Sequence, residues 1–390
     1  MAWTRYQIFL AGLLVFTGSL NTLATKFADG QDAPGRTGGV WKNGTSLRPT
    51  TEVHNFNHPF LQATGMFVGE FSCLLVFRIV SWIHAKRNTP ESELPDIVKG
   101  NQDFNPFIFY LPALCDMVGT SMMYIGLTLT YASSFQMLRG AVIIFTGIFS
   151  MVFLKAKLHR FKWLGIVLVL VGLIVVGVSD ILHADADAKA LGGNTEGQKS
   201  SSAVITGDLI IVGAQVITAL QMVLEEGFVS KTNVAPLQAV GLEGLFGMIT
   251  LGALLVPFYF IKIGHVPIDD SIDGIVQIFN NRWIAVGFGG TLLSISFFNY
   301  AGISVTKQLS ATTRMVLDSV RTIIIWAVSL GVSWQIFHYE TVIGFVVLLS
   351  GMAVYNNLLI VPFMASKGWI TNPEDEEEKD TGAFADEPVE

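Results

Sequence analysis

Residues 304–330, SVTKQLSATTRMVLDSVRTIIIWAVSL, decide how this chain is read. The stretch is long and apolar enough for a membrane-spanning helix, which needs roughly 20 mostly apolar residues. Yet it holds Lys307, Arg314, Asp318 and Arg321. At about 100° per residue, the last three fall at roughly −20°, +20° and −40° from Lys307, so a single helix would carry all four charges on one narrow face. A charge at the bilayer centre costs on the order of 3 kcal/mol even on lenient insertion scales, and that face is therefore expected to meet protein or water. Two readings follow. Either the helix is ion-paired for packing, Arg314 to Asp318 (i,i+4) and Asp318 to Arg321 (i,i+3), or its charged face lines a polar translocation cavity.

The rest of the chain places this stretch in a membrane. Of the 390 residues 51% are hydrophobic and only 14% charged, against about 25% charged in soluble proteins. Uncharged apolar runs recur along nearly the whole length, which makes this a polytopic, all-α membrane protein. The net charge of −7 says little about partners, because much of it sits in the acidic tail, PEDEEEKDTGAFADEPVE. Cys73 and Cys115, the only cysteines, lie inside apolar runs and read as buried thiols, with no disulfide framework.

Ten transmembrane helices are expected, at about 6–25, 59–84, 107–128, 132–154, 163–179, 203–224, 236–261, 283–303, 304–330 and 341–363. The first opens with Arg5 and IFLAGLLVF, and Thr17-Gly18-Ser19 would pass as a signal-peptide cleavage site. The apolar run continues through residues 20–24, so a retained helix is expected. The polar loop after it carries the sequon Asn43-Gly44-Thr45, a candidate glycosylation site. The second span holds Glu70 and Arg78. The third carries a polar stripe of Asp116, Thr120, Tyr124 and Thr128 at four-residue spacing. The fourth has Ser133, Gln136 and Arg139, the sixth Gln215, Thr218 and Gln221 before Glu225-Glu226, the seventh Glu243, and the eighth Asn299 and Tyr300. A loop with Asp269, Asp270 and Asp273 precedes the eighth. The fifth and tenth are uniformly apolar, with Gly165, Gly172 and Gly177 in the fifth suiting close helix packing.

The fourth and fifth spans lie over the ninth and tenth without a gap. Gly165 falls on Gly344, Gly172 on Gly351, Leu138 on Leu317, and Arg139 on Asp318. Tyr124-Ile125-Gly126 also match Tyr300-Ala301-Gly302. The chain thus reads as two five-helix repeats, residues 1–182 and 203–366, joined by a polar linker at 183–202. Residues 367–390 read as a disordered acidic tail. An odd number of spans per repeat requires opposite orientations. Charge agrees: the link after the fourth span has Lys155, Lys157, Arg160 and Lys162, whereas the corresponding places after the ninth hold Trp334, Ile336, Tyr339 and Thr341. By the positive-inside rule the first link is cytosolic, which puts both termini in the cytosol and Asn43 on the opposite side.

No catalytic constellation appears. GxxxxGK[ST], HExxH and CxxC are all missing from the sequence, and Gly287, Gly289 and Gly290 do not complete a dinucleotide fingerprint. No enzyme activity, cofactor, metal or nucleic-acid partner is therefore expected. Inverted repeats with intramembrane charges are the pattern of a secondary transporter with a midplane site between its halves.

The five-plus-five repeat, the segments MAWTRYQIFLAGLLVFTGSLNTLATKFAD and YASSFQMLRGAVIIFTGIFS and the acidic tail resemble the drug/metabolite transporter superfamily, specifically its nucleotide-sugar-transporter-like solute carrier family 35, subfamily F. The resemblance covers essentially the whole chain. It implies alternating-access transport of an anionic small metabolite across a lipid bilayer. In relatives a small-polar motif in the ninth helix ends in a lysine that contacts substrate phosphate. Aligned on Thr312-Thr313 and Met315-Val316, that position is Arg321 here. Leu317-Asp318-Ser319-Val320 stand in place of the relatives' glycine, alanine and asparagine. The candidate substrate-binding residues are then Arg321, Asp318, Arg314, Lys307, Arg139, Gln136, Tyr124, Tyr300, Asn299 and Glu70. The subfamily resemblance further implies a lysosomal membrane, an association with mitochondria, and a survival role involving the mitochondrial adenine nucleotide translocase. It thereby leaves open the alternative of a non-transporting interaction protein.

Overall fold

The computed structural model describes residues 4–35, 41–42, 46–47, 53–87, 95, 97–130, 135, 138–153, 160–190, 201–263, 266–309, 311–332 and 338–355. Asn43, Ser133, Gln136, Lys155, Lys157 and the acidic tail lie outside them. The described chain is mostly helix: α1 (Arg5–Asp29), α2 (Pro59–Lys86), α3 (Tyr110–Leu129), α4 (Val142–Phe153), α5 (Arg160–Ala190), α6 (Ser201–Thr232), α7 (Pro236–Phe260), α8 (Ser271–Asn280), α9 (Arg282–Gln308), α10 (Ala311–Gly331) and α11 (Tyr339–Tyr355). Among the described residues, seven helices are long and apolar enough to cross a membrane by length and composition. These are α1, α2, α3 with the turn before it, α5, α6, α7 and α9. Two shorter apolar helices lie at Arg139–Phe153 and Val342–Tyr355.

Local sequence sets the helix ends. Thr4 caps α1 reciprocally: its hydroxyl accepts from Gln7 N at 3.2 Å while the Gln7 side chain accepts from Thr4 N at 2.9 Å. Pro59 and Pro236 open α2 and α7, where a missing N–H costs nothing. α5 continues through Ala190, past the expected start of the polar linker, because its Ala-rich end favours helix while being polar enough to leave the bilayer.

Most packing runs through four helix pairs: α5 with α11, α1 with α9, α2 with α7, and α3 with α6. Small residues set the first pair. A Cβ on Gly165 would stand 2.6 Å from Tyr355 N, and one on Gly351 2.6 Å from Val169 N. Gly177, expected to share that role, meets nothing within 4 Å. Trp163, Leu164, Val167, Leu170, Val171 and Ile174 form an exposed apolar face on α5. Such a face suits lipid, while Glu70, Gln215, Glu225, Glu243, Arg314 and Arg321 are buried inside.

The deciding stretch is not one helix. α9 runs to Gln308, Leu309 leaves helical geometry at φ −126° and ψ −85°, and α10 begins at Ala311. Lys307 therefore ends α9 rather than sharing the charged face of α10. There it donates to Val234 O at 2.8 Å, where a cation also suits the helix C-terminus.

A polar cap closes one end of the bundle. The strand Asp32–Pro34 after α1 pairs antiparallel with Val53–Asn55 before α2. The segment read as an acidic loop forms α8, capped by Asp270, which accepts from Asp273 N at 3.1 Å. Asp269 accepts from Phe60 N and Leu61 N at 2.9 and 3.1 Å, serving the start of α2. His58 lies 3.3 Å from Asp269 and 3.4 Å from Asp273. Burial disfavours its charged form, but the two carboxylates outweigh that and raise its pKa to about 9.

Candidate functional site

A cavity of about 230 Å³ opens between α1, α2, α3, α6, α9, α10 and the approach to α4. Its walls are apolar, with Met66, Phe67, Met123, Phe135, Ile295 and Phe298, but polar groups converge at two places.

At the first place, two guanidiniums share one carboxylate. Arg321 Nη2 lies 3.0 Å from Asp318 Oδ1, one turn back on α10. Arg139, in the 3-10 turn that leads into α4, reaches the same carboxylate at 3.7 Å. The repeat alignment had set Arg139 opposite Asp318, and the two do meet. Arg321 is 3% exposed, its guanidinium lies over the Phe298 ring at 4.8 Å, and its Nε has no hydrogen-bond partner among the described residues. Gly18 of α1 makes room for it, since a Cβ there would approach Arg321 Cδ to 2.6 Å. Among the described residues the cluster holds two guanidiniums and one carboxylate, a formal charge of about +1, while Asp29, Glu70 and Asp116 line the same cavity.

The second place is carboxylate-rich. Arg314 Nη1 donates to Glu225 Oε2 at 2.5 Å, with both side chains buried. The hydrogen-bonded partner of Arg314 is thus on another helix, in place of the Asp318 contact that one of the two sequence readings gave it. Gly302 of α9 admits the Arg314 side chain, because a Cβ would meet its Nε at 2.7 Å. Gln221 donates to the other Glu225 oxygen at 2.8 Å. Asn299 donates to Glu70 at 2.5 Å, and Thr120 to Asp116 at 3.0 Å.

Of the ten candidate substrate-binding residues, Glu70, Tyr124, Arg139, Asn299, Arg314, Asp318 and Arg321 line this cavity, together with Asp116, Thr120, Thr218 and Gln221 of the polar stripes. Two do not: Lys307 sits at the end of α9, and Tyr300 places its hydroxyl 3.0 Å from that of Tyr6. Gln136 lies outside the described residues. Sequence reasoning missed Lys26, Asp29 and Glu225. Lys26 and Asp29 line the cavity because α1 continues past its expected end, and Gln62 holds Asp29 at 2.6 Å. Glu225 had a signal, since it extends the Thr218 and Gln221 stripe by one further turn.

Comparison with known proteins identifies the family. The EamA-like transporter family model matches residues 51–178. Solute carrier family 35 member F6 of Homo sapiens is 50% identical over 364 residues, covering 92% of this chain and 91% of the human protein. The chain belongs to solute carrier family 35. The mouse member F6 is 47% identical over 97% of this chain and 96% of its own length, and an uncharacterized protein of Schizosaccharomyces pombe is 32% identical over 66% of this chain and 76% of its own. A protein crystal structure superposes with a TM-score of 0.51 at 13% identity, covering 91% of this chain and 98% of that one, a likeness of fold alone. Membership in solute carrier family 35 makes this a multi-pass membrane protein of the transporter type and points away from an enzyme.

Proposed function

We propose that the protein is a secondary transporter that moves a small anionic metabolite through this cavity by alternating access. The observation that carries the reading is the Arg139–Asp318–Arg321 cluster, two guanidiniums to one carboxylate, with a buried Arg321 Nε lacking a partner among the described residues. A carboxylate or phosphate offers such a guanidinium two parallel bonds, and a low-dielectric site strengthens them.

The reading includes ten spans in two inverted five-helix repeats, at 1–182 and 203–366. Packing symmetry supports it. Numbering the spans in order and skipping the short α8, the main pairs are first with eighth, second with seventh, third with sixth and fifth with tenth. Advancing every span by five exchanges the first–eighth and sixth–third pairs and returns the other two to themselves. An operation relating two repeats requires that pattern. The basic link after α4 supports cytosolic termini, with Asn43 on the luminal side of an organelle membrane.

Uptake of radiolabelled anions into liposomes bearing the purified protein tests this reading. Saturable uptake of a phosphorylated or carboxylate metabolite, inhibited by unlabelled anions, is expected. Saturable uptake confined to neutral or cationic solutes would overturn it.

A further inference from the structure

We propose that the cap at the end of the bundle is a divalent transition-metal site of the zinc class, held by His54, His58 and Asp273. His54 and His58 stand four residues apart, the first on the strand Val53–Asn55 and the second at the N-cap of α2. Asp273 comes from the first turn of α8. Their ligand atoms lie within 4.8 Å of one another. His54 Nε2 is 2.8 Å and His58 Nε2 3.4 Å from the same Asp273 oxygen. Bonds of about 2.0–2.2 Å in a tetrahedron separate ligand atoms by roughly 3.3–3.5 Å, so small side-chain movements would seat the ion.

The surroundings fit that role. The Nδ1 of His58 faces Asp269 at 3.3 Å, and Asp269 is fixed by Phe60 N and Leu61 N. A carboxylate behind a histidine orients the ring and raises its basicity toward a metal. Gln277 Oε1, 3.1 Å from His58 Nε2, offers a fourth oxygen or holds a water in that position. Gln277 is in turn fixed to Ala33 O and His54 O at 3.2 and 3.0 Å. The donor set is two imidazoles and a carboxylate, the borderline ligands zinc prefers. Bound there, the ion would tie the segment between α1 and α2 to α8, on the opposite side of the sequence, and brace one mouth of the bundle.

The test uses full-length protein in detergent, stripped with EDTA and then titrated with Zn2+, with bound metal counted by mass spectrometry. One zinc per chain is expected, and His54→Ala and Asp273→Asn should each weaken binding at least tenfold while eluting as the native protein does on gel filtration. Absence of stoichiometric zinc, or zinc held equally by both variants, would overturn the proposal. Where a variant does not fold, Co2+ on the unaltered protein decides. Visible d–d absorption of tetrahedral intensity supports the site, and its absence refutes it.

Discussion

Arg314→Leu should unfold this protein more readily, through loss of a buried ion pair. Arg314 and Glu225 have side chains only 6% and 1% exposed and meet at 2.5 Å. Removing one member strands the other charge in a low-dielectric interior, at a cost of about 3–5 kcal/mol. With an unfolding entropy of roughly 2 cal/mol/K per residue over 390 residues, that corresponds to a fall of about 4–6 °C in melting temperature. Replacing both residues, Arg314→Met with Glu225→Met, removes the desolvation penalty with the attraction and should recover part of that fall, stopping short of the original because the buried Gln221 amide loses its acceptor at a cost of about 1–3 kcal/mol. Thermal unfolding followed by tryptophan fluorescence in one detergent measures all three proteins. A single variant that melts with the parent, or a double variant that melts no higher than the single, would refute the reasoning.

Four further variants check the packing and the second polar cluster. Gly165→Leu should lower the melting temperature, since its Cβ would sit 2.6 Å from Tyr355 N and overpacking costs about 1–3 kcal/mol. Gly177→Ala meets nothing within 4 Å and should be neutral or stabilising by up to about 1 kcal/mol, both read from thermal unfolding. Glu70→Gln keeps an oxygen for the Asn299 amide and should preserve stability, whereas Glu70→Leu leaves that buried donor unsatisfied at a cost of about 1–3 kcal/mol.

Much of the architecture could be read from residues because lipid imposes simple demands. Apolar runs marked the long helices, and intramembrane polar residues marked which faces turn inward. The repeat alignment puts Arg139 and Asp318 at equivalent positions, and their side chains approach to 3.7 Å. What could not be read depended on geometry between segments. Periodicity extrapolated through residues 304–330 and put Lys307 on the charged face, but the break at Leu309 removes it from α10. Local spacing favoured Arg314 with Asp318, yet Glu225, distant in sequence, wins because it offers Arg314 a fully buried acceptor. The His54–His58–Asp273 cap was hidden for the same reason: the two histidines are close in sequence, but Asp273 lies 219 residues beyond His54 and only the fold brings it to them.

The central claim is that Arg321 holds substrate rather than merely neutralising Asp318, and a charge series at these two positions tests it most directly. Initial uptake rates of an anionic metabolite would be measured in proteoliposomes loaded with equal amounts of each protein. Arg321→Ala should lose at least tenfold in uptake with membrane insertion intact, while Arg321→Lys keeps part of the activity because a point charge replaces the two-bond fork. Arg321→Ala combined with Asp318→Ala should remain inactive, since restoring neutrality does not restore the anion's partner. Recovery of transport in that double variant would contradict the account.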